Sequence, residues 1–573
     1  MRPPEVTILK ERILRRTTGT ALLSLTLALL STSTQAWASD SQPPPRLGRA
    51  ELIRDIRELS DLLESAHPDP YINGGGKVAY HRRLQALIRS IPDEGLTRSD
   101  FHAALLPFIA GLGDGHTILE PDEADHDHDN PGGVPFYLEV VEERLYVDAV
   151  VRQEDLPLIG AILETIEGVP STELVARESL RQGHDNDHHA LSALARDGAL
   201  YFGESLRRLV PEWKDRSKIE LTLRDTAGEL RDLEVLPAEN VEYPLYRRES
   251  RIELTNDGGW FGYRFLDPDR EIAYLWINNM TTYREMFEVS RAVGGRGFEG
   301  WAKRVYERSS GRDAPEDMDA VIEGIASATG VFQPLCRDMK AASSRALVVD
   351  LRKNYGGNDL MVPIFLYFLV GFDRTVTVVE ETAAIQKFSP LFAESTEAGI
   401  DLAEIPYSDR VPLVLADYDF SLDAQFMPDG QLRDALGANL LRMFRQTPTF
   451  SAVFDKREDE GCYFPERILV LSGNATQSSG FDLLTNLYRL GAEIVGVPSS
   501  QAGNSFGNVR HFALPNSKLE GHVATKYFVQ YPDEAATGFA LQPHHTLTYR
   551  KLIDLNFDPN ASVLLALEVL NSG

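Results

Sequence analysis

Leu52, Ile53, Ile56, Leu59, Leu62 and Leu63 recur at three- and four-residue spacing, which predicts an amphipathic helix. His67-Pro68-Asp69-Pro70 ends it, because proline disfavours the helical conformation of the residue before it. Leu84, Leu87 and Ile88 mark a second helix. Thr97-Arg98-Ser99-Asp100 reads as a capping signal for a third, Phe101 to Ile109. Residues 49–121 are therefore expected to form an N-terminal helical bundle, with a sharp exit at Gly113-Asp114-Gly115-His116-Thr117.

The pattern changes after an acidic, His-containing loop at 121–131. Phe136–Val140, Arg144–Val147 and Ile219–Leu223 read as short strands, the last alternating as a half-buried strand does. Ile162 to Gly168 reads as a strand closed by a turn, and Ser171 to Ser179 as a short helix. Residues 132–240 thus form a β-rich module. From 265 to 570 the apolar runs Ile272–Ile277, Leu347–Val349, Val411–Leu415, Ile468–Leu471 and Ile494–Val497 alternate with helix-like stretches such as Leu360–Val370 and Phe481–Leu490. That alternation predicts a layered α/β core. The stretches at about 289–344 and 372–465 exceed simple connections and are expected to be insertions.

At 573 residues the chain is long enough for roughly three or four domains. A hydrophobic fraction of 43% and a charged fraction of 25% are globular values, which excludes wholesale disorder. The formal net charge of −28 repels phosphate backbones, so no nucleic-acid partner is expected. Residues 1–38 read as a secretory signal: Lys10, Arg12, Arg15 and Arg16, an apolar run from Ala21 to Leu30, then Ala36-Trp37-Ala38. An uncleaved anchor is the alternative. Residues 39–48 follow as a polar, proline-rich linker. The expected location is periplasmic or secreted, with no membrane span once the signal is removed. Export permits a disulfide, and Cys336 and Cys462 are the two cysteines available for one.

Three segments carry candidate chemistry. Asp350-Leu351-Arg352-Lys353-Asn354-Tyr355-Gly356-Gly357 follows an apolar strand. Its glycines allow a sharp turn and free backbone N–H groups for an oxyanion, although tight packing would also use them. In Thr476-Gln477-Ser478-Ser479-Gly480 a strand runs through a polar turn into a helix. A serine there suits a nucleophile, or simply caps the helix. His116 sits on a glycine turn, where an imidazole is available as a base near neutral pH or is merely structural. The clusters Asp122–Asp129 and Gly183–His189 hold carboxylates and imidazoles. Solvated acidic loops are the preferred reading there, and no metal or cofactor is expected.

Together with His67-Pro68-Asp69-Pro70-Tyr71, Gly491 to Pro498 and Leu514 to Leu519, these segments resemble, in order and spacing, the tail-specific (C-terminal processing) serine peptidases, closer to the tricorn-core-like branch. The resemblance covers residues 50–120 and about 270–565. It implies an α/β multi-domain chain: a helical bundle, a PDZ-like β module over 132–240, and a layered ClpP/crotonase-like catalytic core. It assigns Ser478 as nucleophile and His116 as general base, with an oxyanion hole from the Ser479 N–H and a glycine N–H of Gly356 or Gly357. The processing branch uses a lysine roughly 25 residues after the serine. Here that stretch is Ser499-Ser500-Gln501-Ala502-Gly503, so a Ser/His arrangement is implied instead. Phe481 stands where the family often has Glu, and Gly115 where the tricorn-like site has a serine before its histidine. The implied activity is peptide-bond hydrolysis on a peptide or polypeptide partner. The alternative is a catalytically inactive peptide-binding protein.

Overall fold

The computed structural model describes residues 45–120, 132–196, 200–215, 217–238, 245–254, 259–294, 297–380, 382–395, 417–423, 430–530 and 540–572. The signal sequence, most of the linker, the 121–131 loop and the apolar run Val411–Leu415 lie outside these residues.

The chain folds as mixed α/β around several sheets. Five strands of one six-stranded sheet are parallel, in the order Ile272–Ile277, Ala346–Asp350, Arg467–Ser472, Glu493–Gly496 and His545–Thr546. Phe261–Phe265 pairs antiparallel at the outer edge of Ile272–Ile277. Helices cover both faces, so the central strands are apolar throughout rather than alternating. Leu347, Val349, Ile468 and Val470 face one layer, with Phe365, Phe368, Phe481 and Leu484. Val348, Leu469, Leu471 and Val495 face the other, with Val563, Ala566 and Leu570 of the helix Ala561–Ser572. Burying a side chain such as Phe481 completely stabilises the fold by about 2–3 kcal/mol.

A second sheet runs Tyr418–Leu422, Ala383–Lys387, Glu520–Val529, Asn504–Ala513, with the short strand Ile118–Leu119 paired to Glu520–Val529. A third, antiparallel sheet runs Phe136–Val141, Arg144–Val150, Ile162–Ile166, Ile219–Arg224, Leu230–Val235. Its module also contains helices Asp187–Arg196 and Gly203–Leu209, which periodicity did not bring out. The N-terminal helices are Arg49–Ala66, Gly76–Ser90 and Arg98–Ala110. Leu52, Ile56, Leu59, Leu84, Leu87, Phe101 and Leu105 pack into one cluster with Phe512, Leu514 and Val523 of the second sheet. Thr97 accepts the Asp100 N–H at the third helix, as the capping signal predicts.

The long segments are less separate than expected. Within 289–344, the helix Ala328–Ala342 sends Phe332, Leu335 and Met339 into the main core. It belongs to the crossover that two adjacent parallel strands require. Within 372–465, Ala383–Lys387 and Tyr418–Leu422 are strands of the second sheet. Cys336 and Cys462 are free thiols, not a disulfide. Burial, then the neighbouring Cys462 thiol, pushes the Cys336 thiol up, and its Sγ donates to the Phe368 carbonyl at 3.2 Å.

Candidate active site

Strands Ala346–Asp350 and Arg467–Ser472 are hydrogen-bonded neighbours, with Asp350 opposite Leu471. Both of their carboxyl-terminal loops therefore open on the same edge, where parallel sheets usually bind ligands. Asp350 stays charged in the core because Arg352 and the Tyr274 hydroxyl, 2.7 and 2.6 Å away, outweigh the cost of burial.

Asn354 joins the two loops and is fully buried. Its Nδ2 donates to the Ile277 carbonyl at 2.9 Å, its Oδ1 accepts the Gly356 N–H at 2.7 Å, and its carbonyl accepts the Gln477 N–H at 3.0 Å. Sequence reasoning passed over this residue. Its only signal was an asparagine directly ahead of Tyr-Gly-Gly after a buried strand.

Ser478 precedes the helix Ser479–Arg489 with φ 50° and ψ −130°. That is a strained conformation for a side chain with a β-carbon, of a kind that persists only where its surroundings enforce it. Gly356 is one enforcer: a β-carbon there would lie 2.5 Å from Ser478 Cβ and 2.8 Å from Ser479 N. Gln501 is another, since its Oε1 accepts the Ser478 N–H. Neither serine caps the helix. Ser478 makes no side-chain cap bond, and Ser479 Oγ donates to the Gly357 carbonyl at 2.9 Å.

The glycine assignment narrows. The Gly356 N–H is engaged by Asn354 Oδ1, which corrects the expectation that Gly356 lends its N–H to an oxyanion. Gly357 is exposed and bridges Met280 through the flanking Gly356 carbonyl and Asn358 N–H, which leaves its own N–H out of that bridge. Gly357 and Ser479 therefore remain as candidate donors.

The 113–117 turn is held from inside. Asp69 N–H donates to His67 Nδ1, so His67 Nε2 carries the proton that reaches Asp114 Oδ2 at 3.1 Å. Asp114 also accepts the His116 N–H and the Thr117 hydroxyl. Burial would raise the Asp114 carboxyl, but the His67 hydrogen bond, then the neighbouring His116 and Thr117, bring it down to about 2. His116 Nδ1 is buried without a hydrogen-bond partner. No hydrogen bond joins His116 to Ser478.

What brings the turn toward the nucleophile loop is the 183–189 segment, read from sequence as a solvated or metal-binding cluster. Asp185 accepts the Gly115 N–H at 2.9 Å and the Ala502 N–H at 3.2 Å. His189 Nε2 lies 3.0 Å from the Gln477 amide, one residue from Ser478. His188 Nε2–H is shared between Asn474 Oδ1 and the Pro498 carbonyl, and Ser192 Oγ donates to the Asn474 carbonyl. His184, His188 and His189 are buried. Burial first, and for His189 the neighbouring imidazoles next, drives their rings down toward the neutral form. These side chains clasp the third sheet's module to the nucleophile loop.

Asp482 lies one helical turn beyond Ser478, half-buried, and accepts a hydrogen bond from Gln530 Nε2. Burial, then the Asp359 charge, pushes its carboxyl up to about 7 against the opposing Gln530 and Arg489. Phe481, where the resembling family often has Glu, is a core side chain.

The architecture has solved counterparts. The crystal structure of mature CPAF superposes with a TM-score of 0.52 at 15% identity, covering 91% of this chain and 98% of that one. Mature CPAF complexed with lactacystin gives 0.51 at 15% identity, with the same coverage. The photosystem II D1 C-terminal processing protease aligns over 87% of this chain and 94% of its own, at 12% identity and a TM-score of 0.38. These structural neighbours are tail-specific, S41-type peptidases, so the resemblance read from the motifs holds at the level of fold. No family model and no curated protein matches the sequence.

Proposed function

We propose that the protein is an exported serine-type peptidase in which Ser478 is the nucleophile. Peptidase chemistry is the function its fold relatives carry. The observation that carries the reading to this chain is the strained Ser478 backbone, pressed by Gly356 at the carboxyl edge of the sheet. Strain of this kind concentrates at sites where a side chain must be aimed.

In the proposed reaction His116 takes the Ser478 hydroxyl proton as Oγ bonds to the scissile carbonyl carbon. The Gly357 and Ser479 N–H groups receive the charge on the carbonyl oxygen, a contribution of about 3–4 kcal/mol per donor in comparable sites. His116 then protonates the leaving amine, and water releases the acyl group from Ser478. The buried Nδ1 of His116 has no partner, and the ring must move to reach Oγ. Closure on an extended substrate fits that need, because catalytic hydrogen bonds often form only in the complex. The 132–240 module, PDZ-like in the resembling family, is the proposed element that captures a peptide by strand addition. Export through residues 1–38 places the enzyme in the periplasm or outside the cell.

The absent Ser478–His116 hydrogen bond favours a second reading, a peptide-binding protein without turnover. A fluorophosphonate probe separates the two. Labelling of the wild type, lost in Ser478→Ala and strongly slowed in His116→Gln, supports the peptidase. An unlabelled, folded wild type that still binds peptide supports the binding protein.

A further inference from the structure

Glu120, His511 and His522 meet on one face of the second sheet. His511 and His522 are direct partners in the antiparallel pair Asn504–Ala513 and Glu520–Val529, and side chains of such a pair share a face. Their rings lie 5.7 Å apart between centroids. On the other side of Glu520–Val529, Ile118 pairs with His522 and Leu119 with Gly521. The Glu120 N–H continues the ladder by donating to the Glu520 carbonyl. Side chains alternate along a strand, so Glu120 returns to the face of Ile118 and His522. One donor atom from each of Glu120, His511 and His522 lies within 4.8 Å of the other two.

A pair of histidines beside a carboxylate can also be an ordinary half-buried polar cluster. Two observations point further. His522 is only 3% exposed, yet its Nδ1 has no hydrogen-bond partner. Leaving a buried polar atom unmade costs about 1–3 kcal/mol, so such an atom calls for a partner. Glu120 Oε1 and His511 Nδ1 stand 3.6 Å apart, too far for a good hydrogen bond. A tetrahedral zinc ion with bonds near 2.0–2.1 Å holds its donor atoms roughly 3.3 Å apart. The present spacing is therefore within small side-chain rotations of a ligand set. His511 and Glu120 are the two free to rotate, with side chains 54% and 28% exposed.

We propose that Glu120, His511 and His522 form a binding site for a zinc-class divalent cation. Two imidazoles and one carboxylate match the borderline character of that ion, whereas calcium and magnesium prefer all-oxygen sets. The ion links three segments: the two long strands and the residue that ends Ile118–Leu119. That short strand leads directly out of the turn carrying His116. The site is thus a staple holding the bundle's exit strand to the second sheet, and its binding free energy adds to the stability of that junction.

The experiment is titration of the untagged, chelator-treated chain with zinc chloride at neutral pH, followed by calorimetry and thermal melts. The expected result is one equivalent bound with micromolar or tighter affinity and a raised Tm. Glu120→Gln and His511→Asn should each weaken binding at least tenfold. The double variant should lose both this equivalent and the Tm response. Cobalt(II) in place of zinc should give visible absorption in the wild type that the double variant lacks. Both replaced side chains reach solvent, and His511→Asn alone suffices if the double variant does not fold. Absence of micromolar zinc binding by the wild type would overturn the proposal. So would uptake unchanged in the variants, since the ion would then sit elsewhere.

Discussion

His189 fills the space beside Gly115. A β-carbon at position 115 would lie 2.4 Å from His189 Cε1 and 3.3 Å from Asp185 Oδ1. The residue before His116 is therefore glycine for a local reason. The resembling tricorn-like site has a serine there; in this chain the volume belongs to an imidazole from another module.

Gly115→Ser should accordingly destabilise the protein by about 1–3 kcal/mol, the usual cost of overpacking. His189→Ala in the same chain should relieve the clash and recover part of that loss. Urea denaturation of the single and double variants measures it; additive losses would contradict the contact.

Gly356→Ala places a methyl group against Ser478 at a φ of +89°, where glycine alone is comfortable. The expected cost is about 1–3 kcal/mol of stability, together with loss of fluorophosphonate labelling at Ser478. Gly76→Ala is the control: it also has positive φ, but open space around its β-position. It should lower stability and leave labelling intact.

Asp482 predicts a loss of stability toward alkaline pH. Its carboxyl stands at about 7 in the folded chain against about 3.9 unfolded. The fold therefore favours the protonated form. Its contribution is complete below about pH 4 and disappears as pH rises through 7. The swing is on the order of a few kcal/mol. Asp482→Asn should flatten the stability profile between pH 5 and pH 8, as chemical denaturation across that range would register.

His184 predicts the opposite trend. Both of its ring nitrogens are buried without hydrogen bonds, Nε2 lies 3.9 Å from Glu178 Oε1, and burial pushes the ring down to about 4. Unfolded histidine titrates near 6.5. Its contribution is complete above about pH 6.5 and is lost as pH falls toward 4. His188 and His189 are depressed as well, so acid should loosen the whole clasp on the nucleophile loop. His184→Leu should reduce the acid sensitivity of unfolding. Equal sensitivity in the variant and the wild type would refute the role given to this ring.

Local patterning made much of the scaffold legible. The helix ending at His67, the Thr97 cap and the helix after Ser478 are short-range features, set by spacing, proline and side-chain oxygens. The buried parallel strands were readable because both of their faces are covered, which leaves continuous apolar runs. The helix at Ser171 was legible, but two others inside the β module were missed; Asp187–Arg196 turns His188 and His189 inward, where the pattern reads as polar. The proposed disulfide was drawn from an inventory of two cysteines, and the structure shows them as free thiols.

Sequence by itself determined the N-terminal helices, the buried parallel strands and which loops carry serine, glycine and histidine, because those features depend on neighbours a few positions away. Tertiary structure alone decided that Asn354 takes the Gly356 N–H, that Gly356 presses on Ser478, and that the 183–189 segment joins Gly115 to Gln477. Those relationships join groups from 2 to nearly 300 positions apart. They exist only once the apolar cores have closed and most buried polar atoms are paired with whatever side chains the fold has brought within reach.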